Sequence, residues 1–149
     1  MTDAKAKPLK FLLRPTLDTK FHIDFDWWKE REENFRVYLW SHLCSECQGV
    51  YESHHGTEVI DWINPDTAEV TRVDALWHSL QTCCSKKPDF ITDYTPIMDA
   101  IFRLFLANEN TPLSPLEMYE TIGRRSPSTI LRMLTHGNTH RGIKPVREE

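Results

Sequence analysis

The cysteines carry the clearest metal-binding chemistry in this sequence. Cys44 and Cys47 have the C-x-x-C spacing at which a turn directs two thiolates towards one ion. Cys83 and Cys84 form a second pair about 36 residues further on. Zinc is the expected ion, because a structural zinc site needs no open coordination position and supplies folding energy. The spacing therefore predicts a four-cysteine structural metal site.

Other uses of these cysteines stay open at the level of sequence. A histidine (His54, His55 or His78) could replace one cysteine ligand, and an iron–sulfur cluster also takes four cysteines. Free cysteines are often buried, so the four could also simply fill the core. Redox chemistry is less favoured, because a redox C-x-x-C normally opens a helix, whereas Cys44 follows a predicted one.

A second group of residues suited to chemistry is the basic segment near the C-terminus. Six basic residues and no acidic one lie between Arg124 and Arg147, whereas residues 1–91 contain 11 Lys and Arg against 15 Asp and Glu. The chain as a whole has a net charge of −4. One basic face on an otherwise acidic protein favours oriented docking on a polyanion over indiscriminate binding.

Two short helices are predicted from their start signals, the first before this basic segment and the second within it. Ser114-Pro115-Leu116-Glu117 combines an N-cap serine, proline at the first helical position and glutamate three residues after the cap, which is the capping-box pattern. Ser126-Pro127 starts the next helix in the same way. Gly123 lies where a left-handed residue would end the first of them. Two helices joined by about three residues form a helix-turn-helix.

With the apolar helix predicted from Thr95 to Ala107, residues 95–147 resemble a winged helix-turn-helix domain. The resemblance rests on element order and capping. It implies that the helix at 127–135 enters the DNA major groove and that the closing segment around residues 140–146 forms the wing. It also implies a set of DNA-contacting side chains: Arg124, Arg125, Ser126, Ser128, Thr129, Arg132, Arg141 and Lys144.

The N-terminal part has the pattern of a small α+β unit. Apolar and polar residues alternate from Phe21 to Trp27, which predicts a strand, and helical spacing follows from Trp28 to about Leu43. Two further strands, Val59–Ile63 and Ala68–Val73, are predicted to form a hairpin around the type I turn Asn64-Pro65-Asp66-Thr67. Asp74 is expected to cap the helix that follows.

The predicted fold class is therefore α+β. We expect a flexible tail at residues 1–10, an α+β module at 11–91 with the candidate zinc site, and a winged helix-turn-helix domain at 92–149. No apolar run approaches the roughly 18 residues that span a bilayer, and no signal peptide is recognised. A cytoplasmic protein that makes no membrane contact is the expectation.

These features predict a DNA-binding protein, either a small transcription regulator or a DNA-contacting accessory subunit, with a protein partner for the N-terminal module. The alternative is a non-enzymatic adaptor that uses the winged helix as a docking face. The sequence has no nucleophile elbow, phosphate-binding glycine loop or H-E-x-x-H motif, so an enzyme is not expected. The oligomeric state stays open.

Overall fold

The computed structural model describes residues 14–51, 59–63, 66–137 and 139–146. The predicted tail at 1–10, His54, His55 and the first half of the predicted turn, Asn64-Pro65, lie outside these residues. The described part mixes helices with two small antiparallel sheets, in agreement with the α+β class. In chain order the elements are β1 (Phe21–Ile23), α1 (Phe25–Lys29), α2 (Glu32–Ser41), α3 (Ser45–Val50), β2 (Val59–Ile63), β3 (Val70–Asp74), α4 (Ala75–Thr82), a 3-10 turn (Cys84–Lys86), α5 (Ile97–Ala107), α6 (Pro115–Ile122), α7 (Pro127–Thr135) and β4 (Ile143–Pro145).

The first sheet joins segments from opposite ends of the chain. Strand β1 pairs antiparallel with β4, and Phe21 also exchanges two backbone hydrogen bonds with Leu113, 2.8 and 3.0 Å long. The closing segment was expected to form a wing, but its strand pairs with β1 instead. Burial of apolar side chains explains why β4 pairs with β1. This pairing places Phe21 and Ile23 on the core, where they are 0% and 1% exposed.

Strand β1 is shorter than the alternating pattern predicted. The strand was expected to reach Trp27, but it ends at Ile23. Asp24 provides the reason: its carboxylate accepts a hydrogen bond from the Asp26 backbone N–H at 2.9 Å and caps α1. A capped helix start therefore overrides the period-2 pattern.

The segment around the first cysteine pair also differs from the prediction. The single helix expected from Trp28 to Leu43 is divided between α1 and α2. The polar stretch expected after Cys47 instead contains α3, whose N-cap residue is Cys44. The C-x-x-C motif therefore does open a short helix, which removes the argument from helix position against redox chemistry.

The hairpin and the helix after it agree with the sequence, except that β3 spans Val70–Asp74 and not the predicted Ala68–Val73, because Ala68 has a φ of 62° that a strand does not allow. Strands β2 and β3 pair antiparallel, with Val59 opposite Asp74 at one end and Ile63 opposite Val70 at the other. The Asp74 side chain accepts hydrogen bonds from the first turn of α4, at 2.9 and 3.2 Å, as its predicted capping role requires. Helix α4 ends at Thr82, and Cys83 is both its C-cap and the N-cap of the 3-10 turn.

The order helix, link, helix, turn, helix is present in α5, α6 and α7. Ser114 and Glu117 form the predicted capping box, Gly123 ends α6 at a φ of 72°, and Ser126 caps α7. The serine caps satisfy backbone N–H groups that a helix leaves without an intrahelical partner, and the Gly123 N–H donates to the Tyr119 carbonyl oxygen at the other end of α6.

The core is continuous across the predicted boundary at residues 91 and 92. Helix α4 packs against both α2 and α5, and β1 packs against α5. One hydrophobic cluster therefore includes side chains from both predicted modules. Its fully buried members include Phe21, Leu39, Leu76, Leu80, Ile101, Phe105, Met118, Ile130 and Ile143.

Candidate metal centre and basic helix face

The structure brings the four cysteine side chains to one place. The sulfur atoms of Cys44, Cys47, Cys83 and Cys84 all lie within 4.8 Å of one another. All four are free thiols, and Cys84 is fully buried. The predicted metal ligands thus form a compact set that could hold a metal ion.

Local backbone geometry explains the convergence. Cys44 has an extended backbone, with a ψ of 164°, and Cys47 follows three residues later, so both lie on one side of the start of α3. Cys83 leaves helical geometry, with φ −120° and ψ −64°. This break between α4 and the 3-10 turn lets two adjacent residues, Cys83 and Cys84, direct their side chains to the same place.

Hydrogen bonding and burial give the thiols different proton affinities. The Cys44 backbone N–H donates to the Cys84 sulfur at 3.2 Å. Burial by itself raises the pKa of Cys44, but hydrogen bonds from the Cys47 backbone and the other three thiols outweigh it and hold this pKa below its usual value. Burial raises the pKa of Cys84 to about 11 and also raises the pKa of Cys47. Four close thiols cannot all ionise without a cation among them.

The spacing of the sulfur atoms fits one ion. With metal–sulfur bonds of roughly 2.3 Å, a tetrahedral ion holds its four sulfurs roughly 3.8 Å apart. The observed limit of 4.8 Å is close to this value. A multi-iron cluster places several iron atoms between its thiolates and therefore needs a wider arrangement. A single ion is the better match to this set.

Among the described residues, the grouping of potential ligands contains these four cysteines and no histidine. His78 lies on α4 outside the grouping, and His54 and His55 are outside the described residues. The proposed replacement of a cysteine by His78 therefore finds no support in the geometry.

Sequence reasoning missed the polar residues beside the cysteines. A cavity of about 380 Å³ opens next to Cys44 and Cys84 and is also lined by His42, Lys87 and Arg103. Lys87 donates a 2.6 Å hydrogen bond to Glu46, and this bond raises the pKa of Lys87. The nearby cation reduces the cost of gathering thiolates.

His42 is the most unusual of these residues. It is 4% exposed, and its Nδ1 accepts a 2.9 Å hydrogen bond from Arg103 Nε. Its Nε2 has no hydrogen-bond partner among the described residues. Burial lowers the pKa of His42 to about 4, and the Arg103 charge acts in the same direction, so the ring is neutral at pH 7. Its position two residues before Cys44 is the only sequence signal for it.

The basic helix α7 presents one polar face to solvent. Ile130 and Leu134 are buried, whereas Ser128 and Arg132 are exposed on the opposite side. Arg125 is also exposed and precedes the helix with a φ of 62°. Within the described part of the chain, neither arginine side chain makes a hydrogen bond or ion pair.

The other residues in the predicted DNA-contacting set have partners within the protein. Arg124 donates to the Thr95 carbonyl oxygen, and the Arg141 guanidinium lies 4.9 Å from the centre of the Tyr38 ring. Lys144 lies 3.7 Å from an Asp24 carboxylate oxygen. The Ser126 hydroxyl caps α7 and bonds Thr129 Oγ1 at 2.9 Å. The exposed and unengaged part of the predicted surface is therefore Arg125, Ser128 and Arg132.

Comparisons with protein-family models, curated proteins and solved structures give no match. Among the helices in the described residues, none combines the length and apolar character needed to cross a membrane.

Proposed function

We propose that this protein binds double-stranded DNA through α7 and that a structural zinc ion at the four cysteines supports the helices behind it. The observation that carries the proposal is the exposed face of α7. Its outward row joins Ser128 and Arg132, and Arg125 lies at its start. No acidic residue lies between Thr121 and Val146 to oppose a polyanion.

Each exposed side chain has a role that matches its chemistry. Arg132, one turn after Ser128 on α7, has the reach and the planar fork to bond a guanine edge in the major groove. Ser128 in the first turn suits a phosphate or base contact. Arg125 lies in the turn before the helix and suits a phosphate. The protein would then be a small transcription regulator or a DNA-contacting accessory subunit.

Zinc is proposed on the donor set. Four thiolates within reach of one tetrahedral ion, without an open position, are typical of structural zinc. The ion would connect the start of α3 to the end of α4, and α4 and the 3-10 turn pack on α5. The metal would thus stabilise the surface on which the helix-turn-helix rests.

A DNA titration with three variants tests the proposal. We expect Arg132→Ala to reduce the preference between DNA sequences, because a base contact is lost. Arg125→Ala should weaken binding to all sequences and reduce the slope of log K against log salt by about 0.9, because one phosphate contact is lost. Lys29→Ala removes the same charge from a side chain that is 76% exposed on α1, and it should leave binding unchanged.

The proposal fails if the double variant Arg125→Ala/Arg132→Ala binds DNA as tightly as the wild type does.

One observation favours a second function, that of an adaptor: α6 exposes Leu116 and Tyr119 to 39% and 41%. Exposed apolar side chains on one helix suit a protein partner. Pull-downs with and without nuclease separate the two functions, because only a DNA-mediated partner is lost after digestion.

A further inference from the structure

Tyr94 is the most exposed large apolar side chain among the described residues. Its exposed fraction is 95%, although a tyrosine usually buries most of its ring. Its hydroxyl has no hydrogen-bond partner within the described ranges. The backbone of the segment that carries it is nevertheless held by hydrogen bonds: Thr92 N–H donates to Thr95 Oγ1 at 2.9 Å, and Tyr94 N–H donates to Thr92 Oγ1 at 3.2 Å.

This segment touches the helix-turn-helix at its turn. Arg124, between α6 and α7, donates to the carbonyl oxygen of Thr95, the residue directly after Tyr94. Thr95 itself is 7% exposed, so the contact anchors the segment from its buried side. Tyr94 is therefore exposed one residue before a backbone oxygen that the turn before α7 contacts, and Arg125 follows Arg124 in that turn.

We propose that Tyr94 is a DNA-backbone contact whose hydroxyl donates a hydrogen bond to a phosphate oxygen of the duplex that α7 binds. This inference rests on the proposed DNA binding and extends its surface to the segment before α5. A tyrosine hydroxyl is a common phosphate donor, and such contacts fix register on the duplex without reading sequence. The ordered turn lowers the entropy cost of the contact, because the backbone is already held before DNA binds.

Salt dependence distinguishes this contact from an arginine contact. A neutral hydroxyl releases no condensed counterion, whereas an arginine does. We expect Tyr94→Phe to weaken binding of a labelled duplex to the full-length protein by about tenfold, the effect of one hydrogen bond to a charged group. Its salt slope should equal that of the wild type, in contrast to Arg125→Ala.

Two further variants sharpen the test. Tyr119→Phe removes the same hydroxyl from an exposed tyrosine on α6 and should bind as the wild type does. Asp93→Asn removes an exposed carboxylate beside Tyr94 and should tighten binding by roughly twofold to fivefold, because this charge would repel the phosphate.

The outcomes separate this inference from the function on which it rests. If Arg125→Ala and Arg132→Ala weaken binding but Tyr94→Phe and Asp93→Asn bind as the wild type does, Tyr94 does not contact DNA. If the arginine variants also have no effect, DNA binding by α7 itself is wrong. Because Tyr94 is almost fully exposed, its hydroxyl can be removed without a cost in folding, and thermal unfolding of the variant should match the wild type.

Discussion

Removal of the proposed metal should destabilise the protein, and the length of the chain segment between the two cysteine pairs determines by how much. The ion would cross-link Cys47 to Cys83, which are 36 residues apart in the chain. Treated like a covalent cross-link, closure of such a loop removes about 13 cal/mol/K of entropy from the unfolded chain, or about 4 kcal/mol at 25 °C. Since 1 kcal/mol shifts the Tm of a protein of this size by roughly 2–4 °C, we expect a fall of roughly 8–16 °C.

The assay combines metal analysis with thermal unfolding. Purified protein should contain about one zinc per chain, since four thiolates complete one tetrahedral site. A zinc chelator should lower its Tm by the amount given above, and added zinc should restore it. Cys84→Ser removes a ligand that is fully buried, so this variant should start near the chelated Tm and respond little to chelator. Ser45→Ala, beside Cys44 but outside the ligand set, should behave as the wild type does.

Two results would refute this reasoning. The first is a protein that contains no metal after expression with added zinc and whose Tm does not change when a chelator is added. The four cysteines would then be free thiols that fill the core. The second is a coloured protein that contains several irons per chain. That result would replace the single ion with a cluster and require the four sulfurs to separate beyond the observed 4.8 Å.

Other predictions concern the core and its polar contacts. Gly142→Ala should destabilise the protein by about 3 kcal/mol in a denaturant titration, because the φ of Gly142 is +75° and an added Cβ would lie 2.6 Å from Trp28 Nε1. Gly137→Ala is the matched control, because Gly137 has the same φ but open space around it. This variant should lose only the backbone cost of about 1–2 kcal/mol. Tyr38→Phe should cost about 1–3 kcal/mol, because Tyr38 donates a 2.7 Å hydrogen bond to Asp99. Burial and this carboxylate raise the pKa of Tyr38, so the unfolded chain loses the proton first and stability should fall above about pH 10, an effect that the phenylalanine variant should lack. A Gly142→Ala protein as stable as Gly137→Ala, or a Tyr38→Phe protein with an unchanged pH profile, would contradict these contacts.

The elements that the sequence predicted well depend on neighbours along the chain. The capping box of Ser114 and Glu117, the left-handed Gly123 and the cap at Asp74 each join residues at most four positions apart. Such contacts form with the same geometry wherever the helix lies, so a local pattern is sufficient to find them.

The features that the sequence did not predict depend on partners that are distant along the chain. Pairing of β1 with β4 joins residues 120 to 124 positions apart, and His42 accepts a hydrogen bond from Arg103 across 61 positions. The convergence of the cysteines was predicted from spacing alone. The break in the backbone at Cys83, which lets adjacent residues face one site, became visible only in the structure.

Strand β1 physically connects the two modules predicted from the sequence. Its backbone forms hydrogen bonds with Leu113, two residues before α6, and pairs with β4 after α7. Asn110, in the same link, bonds both the N–H and the carbonyl of Ile23 at 2.8 and 2.9 Å. A helix-turn-helix without β1 would lose these partners and expose the apolar side chains that Phe21 and Ile23 now cover. The position of α7 relative to the cysteines is therefore set by strand pairing and a shared core. Loss of metal at the cysteines should consequently weaken any binding by α7, although no cysteine belongs to its exposed face.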